Sequence, residues 1–284
     1  MIADGPKDHI DAIKCEEVRK SILEIKWPCE LVTNFADSNY GCKQRVITGL
    51  DWAFEQVDEA IILEDDCIPH PSFFPFCAEM LQTYRDDRRV MMISGTNIKE
   101  KWAEDNFSYF FSSYGSVWGW ATWKRAWKLY DRNFQLWQSP EVKNRVKDLI
   151  NNEPLFQDRL NRLDETYAGR IDTWDHQWVL TCMVNAGLCV IPTVNLIANL
   201  GFRDDATHTL YSNNPCADLP TFEMKFPLVE PPTFLCDRKY DQMYMFEISG
   251  RSQKRPQRGF RRRYVSMLEK LISVLENSRI SQYS

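Results

Sequence analysis

Over residues 1–98, short apolar runs alternate with stretches of helical period, and few architectures accommodate that alternation. Met1-Ile2-Ala3-Asp4-Gly5-Pro6 reads as the end of a strand entering a turn. So short a first strand leads us to expect that an earlier strand and helix are missing from this chain. Ile10, Ile13, Val18, Ile22 and Ile25 recur at helical spacing, which predicts an amphipathic helix over about 8–25. Residues 29–35 read as a strand, 37–41 as a loop and 43–56 as a second helix. The run 60–63 is a buried strand in this reading, and Pro71 opens a third helix. Phe73, Phe74, Cys77, Met80, Leu81 and Tyr84 make that helix's apolar face. Residues 90–95 are another buried strand. The pattern is that of a mostly parallel sheet with helices on both faces, so the predicted class is α/β and Rossmann-like.

The run at 60–63 ends in Glu64-Asp65-Asp66. Ligands in open α/β sheets bind outside the carboxyl ends of strands. Three adjacent carboxylates repel one another unless a cation or solvent neutralises them. Hard oxygen donors of this kind suit Mg²⁺ or Mn²⁺. From the cluster alone, a metal site and a solvated acidic loop are equally good readings.

Beyond residue 98 the character changes. Residues 107–114 are aromatic and strand-like, and the Trp-rich run 116–123 leads into a helix expected to end near Tyr130. Residues 140–169 read as polar helix. A helix begins near Trp174-Asp175-His176-Gln177-Trp178, followed by short strands at 188–191 and 195–200. Residues 213–232 hold five of the fourteen prolines and read as a linker. Residues 237–248 allow a helix. Seven Lys or Arg fall between Arg251 and Arg263, and an amphipathic helix is predicted at 264–277. A net charge of −5 argues against general nucleic-acid binding. Nine cysteines without a C-x-x-C pair read as reduced core residues. With no apolar run of membrane-spanning length and no signal peptide, a cytoplasmic protein is the default expectation.

Taken together, Asp4-Gly5-Pro6, the run Ile62-Leu63-Glu64-Asp65-Asp66-Cys67-Ile68-Pro69 with Ser72-Phe73-Phe74, Ser94-Gly95, the Trp-rich turn, Trp174-Asp175 and a late His208 resemble the nucleotide-diphospho-sugar transferases of the GT-A fold. The chain looks closest to the inverting N-acetylglucosaminyltransferase I family and its bacterial relatives. The resemblance covers about residues 1–210, most fully 40–125. It implies a GT-A domain over 1–212, with a nucleotide-binding part (1–98) and an acceptor-side part (99–212). Residues 213–284 are then a linker, a basic stretch and a C-terminal helix. Two departures stand out. The family begins with a further strand and helix, and its base lies in Trp-Asp-Asp-Trp where this chain has Trp174-Asp175-His176-Gln177-Trp178.

The implied activity is transfer of a sugar from a nucleoside-diphosphate donor to an acceptor hydroxyl, with inversion, as a hexosyltransferase does. The resemblance makes Asp66 the direct Mn²⁺ (or Mg²⁺) ligand. Glu64 and Asp65 would meet the nucleotide sugar or the metal's waters, and Asp4 the base or ribose. Asp175 would be the catalytic base. Arg203 and His208 are candidates for the diphosphate, and Trp118 and Trp120 for stacking on an acceptor sugar. Each has a plainer alternative: Asp4 a turn residue, Asp175 a helix cap, the two Trp core packing, Arg203 and His208 surface residues. The partners implied are a nucleotide sugar and a glycan or lipid-linked acceptor. The basic tail could touch the inner face of a membrane, or be a solvated linker. The rival function is a catalytically impaired or truncated GT-A protein acting as a binding module.

Overall fold

A computed structural model describes residues 1–102, 106–202 and 219–249. Arg203, His208, the basic stretch and the helix expected at 264–277 lie outside the described residues. In chain order the elements are β1 (Ile2–Ala3), α1 (His9–Lys20), β2 (Asn34–Phe35), α2 (Gly41–Gln56), β3 (Glu59–Ile62), β4 (Cys67–Pro69), α3 (Phe73–Thr83), β5 (Val90–Ser94) and β6 (Tyr109–Ser112). These are followed by β7 (Trp120–Trp123), α4 (Lys124–Trp127), α5 (Pro140–Ile150), α6 (Glu153–Tyr167), α7 (Asp175–Val184), β8 (Leu188–Pro192), β9 (Ile197–Asn199) and α8 (Arg238–Ile248). The chain is mixed α/β, with a central sheet flanked by helices. That sheet has the order β3-β7-β5-β8-β6. β6 and β8 run antiparallel, with Tyr109 opposite Pro192 and Ser112 opposite Cys189. β1 and β2 form a separate parallel pair, and β4 and β9 a separate antiparallel one.

The chain divides into two compact units. One comprises Met1–Ala60, Tyr84–Met92 and Ala121–Leu188; the other comprises Ile61–Thr83, Ile93–Trp120 and the chain from Cys189 on.

In the first unit, Trp127 gathers an aromatic core. It stacks on Tyr130 at 4.5 Å between ring centroids and meets Trp178 at 5.5 Å and Phe54 at 6.4 Å. Helices α5, α6 and α7 pack on one another. Ser139 caps α5 by accepting from the Val142 N–H, with Pro140 in the first turn, where its missing N–H costs nothing. Asn151 ends α5 in the left-handed region, and Asn152 then caps α6. Helix α1 departs from expectation. It ends at Lys20, a 3-10 turn follows, and none of its residues is buried; Ile10 is 70% exposed and Leu23 beyond it 76%. Of the strand expected at 29–35, only Asn34–Phe35 pairs.

In the second unit, α3 buries Phe73, Phe76, Cys77, Met80 and Leu81, while Phe74, expected on the same face, points outward. Asn195 is a polar hub. Its Oδ1 accepts from the Asn97 N–H (3.0 Å), and its Nδ2 donates to the carbonyls of Ile197 (2.7 Å) and Pro220 (2.9 Å). A buried amide with its bonds made fixes one arrangement of the loops around it. The Phe222 N–H donates to the Asn195 carbonyl and the Met224 N–H to Ser72 Oγ, so residues 219–224 are packed chain rather than a free linker. Asp237 caps α8, and Tyr240, Tyr244 and Met245 of α8 are buried. The helix expected after the Trp-rich run is present but short, Lys124–Trp127, and the run before it ends as strand β7. Gly119, at φ +61°, makes the turn into β7.

Candidate functional site

Three places carry the carboxylates singled out by sequence. The acidic run lies between β3 and β4. β3 is half-buried rather than fully buried, and the chain leaves it in a four-residue turn closed by the Cys67 N–H on the Glu64 carbonyl (3.1 Å). On a continuous strand Glu64 and Asp65 would alternate faces. The turn instead groups Glu64, Asp66 and Cys67, with one ligand atom from each lying within 4.8 Å of the others, and leaves Asp65 exposed.

Asp66 does not cap α3. At that helix start the Ser72 N–H donates to His70 Nδ1 (3.2 Å) and the Phe73 N–H to the His70 carbonyl (2.8 Å). Asp66 Oδ1 accepts from Asn199 Nδ2 at 3.4 Å and from the Cys67 thiol at 3.5 Å. Burial pushes the Asp66 carboxyl above the usual carboxylate range, against the thiol hydrogen bond. Burial first, and then the charges of Asp66 and Glu64, push the Cys67 thiol far up. Two carboxylates and one thiol are thus gathered in the turn, and the carboxylates are hard oxygen donors of the kind that Mn²⁺ and Mg²⁺ take.

Asp4, at the end of β1, is fully engaged. Its carboxylate accepts from the N–H groups of Gly5 (2.8 Å), Tyr40 (2.9 Å) and Gly41 (3.0 Å) and from Asn39 Nδ2 (3.0 Å). It satisfies the first turn of α2 across 36 residues, and a carboxylate there also suits the helix dipole. Arg45, 7% exposed, braces the same corner by donating to the Ala3 carbonyl (2.9 Å) and Asn34 Oδ1 (2.8 Å). The geometry of Asp4 is that of a cap.

Asp175 is the first residue of α7 and half-buried. Its Oδ1 accepts from the Thr173 hydroxyl and from the His176 N–H (2.9 Å), while Oδ2 carries neither bond. The neighbouring His176 ring sits 2.7 Å from Thr166 Oγ1 through Nδ1. Burial pushes its pKa down, which keeps it neutral near pH 7. One oxygen of Asp175 is thus oriented, and the other accepts no hydrogen bond among the described residues. As a helix-end residue, Asp175 accepts from one first-turn N–H, that of His176.

The two tryptophans part company. Trp120 is fully buried, so core packing holds for it and stacking on an acceptor is ruled out. Trp118 is half-buried and meets Phe202 edge to face at 5.2 Å. Asn199, Gly201 and Thr173 went unnoticed in sequence. Asn-Leu-Gly reads only as a strand ending in a turn, and a lone Thr before Trp-Asp carries no signal. No helix among the described residues is long and apolar enough to cross a membrane. No protein-family model matches the chain, and no curated protein matches it.

Proposed function

We propose that the chain is a metal-dependent glycosyltransferase of the GT-A class, moving a hexose from a nucleoside diphosphate to an acceptor hydroxyl with inversion. The observation that carries the reading is the convergence of Glu64 and Asp66 in a turn at the carboxyl end of β3, with Asp66 free of any capping duty. Asp66, with Glu64 beside it, would hold a hard divalent cation, Mn²⁺ or Mg²⁺. Such an ion supplies Lewis-acid stabilisation to a departing diphosphate. Asp175 takes the proton of the acceptor hydroxyl through Oδ2 while Thr173 holds Oδ1. Trp118 offers a part-exposed ring to a sugar face.

Two variants test the reading. Asp66→Ala should abolish Mn²⁺-dependent donor hydrolysis and transfer while the melting temperature stays at the parent value. Asp175→Asn should leave donor binding intact and lower turnover about 10²–10⁴-fold, the usual worth of a general base. Full activity in Asp66→Ala would end the metal role, and a loss of stability alone in Asp175→Asn would make that residue a cap.

A second reading, a binding module on the same fold, is favoured by Asp4. Its carboxylate is committed to backbone amides, so a nucleotide base would have to be recognised without it. Calorimetry with uridine and guanosine diphosphates plus Mn²⁺, run beside a turnover assay, separates the two. Binding without turnover of any nucleotide sugar selects the module.

A further inference from the structure

The turn after β9 closes over Asp66. β9 pairs antiparallel with β4, which sets Asn199 opposite Cys67, and the Leu200 N–H donates to the Asp66 carbonyl at 2.8 Å. That pairing brings two features against the Asp66 carboxylate. Asn199 is 6% exposed, and its Nδ2 donates to Asp66 Oδ1 over 3.4 Å. Its own Oδ1 accepts from the Gly201 N–H at 2.6 Å, and that bond decides which end of the amide faces the carboxylate. The second feature is an absence: a Cβ at Gly201 would overlap Asp66 Oδ2. One carboxylate oxygen is held by an amide. The other lies in space that any side chain at position 201 would fill.

We propose that Asn199 and Gly201 are the positioning residues of Asp66, aiming its carboxylate for a divalent cation; the inference rests on the metal reading of Asp66. The residue types fit the task. A carboxylate at 199 would repel Asp66, and a lysine would neutralise the charge the cation needs. An amide donates one hydrogen bond and leaves the charge in place. If Asn199 served only its own turn, its bond to Gly201 would suffice and the donation to Asp66 would be idle. Groups that orient a ligating carboxylate typically change metal affinity about 10–100-fold when removed.

The test is Mn²⁺ affinity, by titration calorimetry and by the Mn²⁺ electron-spin signal, with uridine or guanosine diphosphate present and without it. Parent, Asp66→Ala, Asn199→Leu and Gly201→Ala are compared, each after its melting temperature is recorded. Asn199→Leu and Gly201→Ala are expected to weaken Mn²⁺ binding about 10–100-fold. Should Asn199→Leu fail to fold, Gly201→Ala carries the test, because the atom it displaces is the end of a side chain. Two folded variants that bind Mn²⁺ as tightly as the parent, while Asp66→Ala does not, would overturn the positioning role and leave the metal reading standing. A parent that binds no Mn²⁺ under any of these conditions would overturn both.

Discussion

Asp241 shows what one buried carboxylate does to a fold. It is 3% exposed, and its Oδ1 accepts from Ser112 Oγ (2.6 Å) and the Ser113 N–H (3.1 Å). Its Oδ2 is buried with no hydrogen-bond partner among the described residues. Burial holds its carboxyl above the usual carboxylate range, against those hydrogen bonds. The folded chain therefore keeps a proton that the unfolded chain gives up. Its contribution to stability is fully present below the unfolded carboxylate value, about 4, and is lost as pH rises through the raised folded value. Asp241→Asn does not titrate. It should flatten this part of the profile and be relatively more stable than the parent above the window. Urea midpoints taken from pH 4 to 8 would check it, and identical slopes in the two proteins would count against the assignment. At the same scale, the acidic run could be singled out from the sequence itself, whereas Asp4 and Asp175 came forward through the resemblance. In the fold Asp4 accepts from backbone amides and Trp120 is fully buried. Burial and hydrogen-bond partners depend on segments distant in the chain, and neither is written in a residue's identity.

Among elements, the turn into β7 is a demanding junction. Gly119 adopts φ +61°, and a Cβ there would overlap Ile197 of β9. The Gly95 N–H also donates to the Gly119 carbonyl at 2.8 Å, so the backbone has little room to retreat. Gly119→Ala should cost about 1–2 kcal/mol for the left-handed conformation. Overpacking adds a further ~1–3 kcal/mol. Pairing it with Ile197→Ala should give a double mutant more stable than the sum of the single effects, since the shortened side chain vacates the space. Strict additivity in chemical denaturation would show that the two do not touch. The same junction explains why β7 was hidden in sequence. All four of its residues are buried, so there is no alternation to read, and it runs directly into α4. By contrast α3 was readable from its apolar face, and β5 and β8 as short apolar runs bounded by turn residues. Helix α1 was readable too, but its apolar side is uncovered, so periodicity located the helix and misjudged its burial.

For the molecule as a whole, local pattern predicted a mixed α/β chain but not the order in which strands meet. β3 lies beside β7 in the sheet, with residues of β4, α3, β5 and β6 between them in the chain. No local signal encodes such a pairing, since it depends on burying faces distant in sequence. Each compact unit is likewise assembled from three separate segments. Neither can be cut out as one continuous fragment. A chain ending at residue 98 or at 212, the boundaries the resemblance implies, should therefore lack cooperative unfolding, and circular dichroism melts would reveal a broad slope instead of a transition.

The sheet order has a further consequence during synthesis. At about 5–20 residues per second, the sixty-odd residues separating Ala60 from Ala121 take on the order of 3–12 s to make. Nearly all of that interval passes with Ile61 and Ile62 of β3 made and β7 not yet made. Nascent chains stalled before Trp120 should stay open to protease and be held by chaperones. Those stalled well beyond Leu188 should begin to resist digestion.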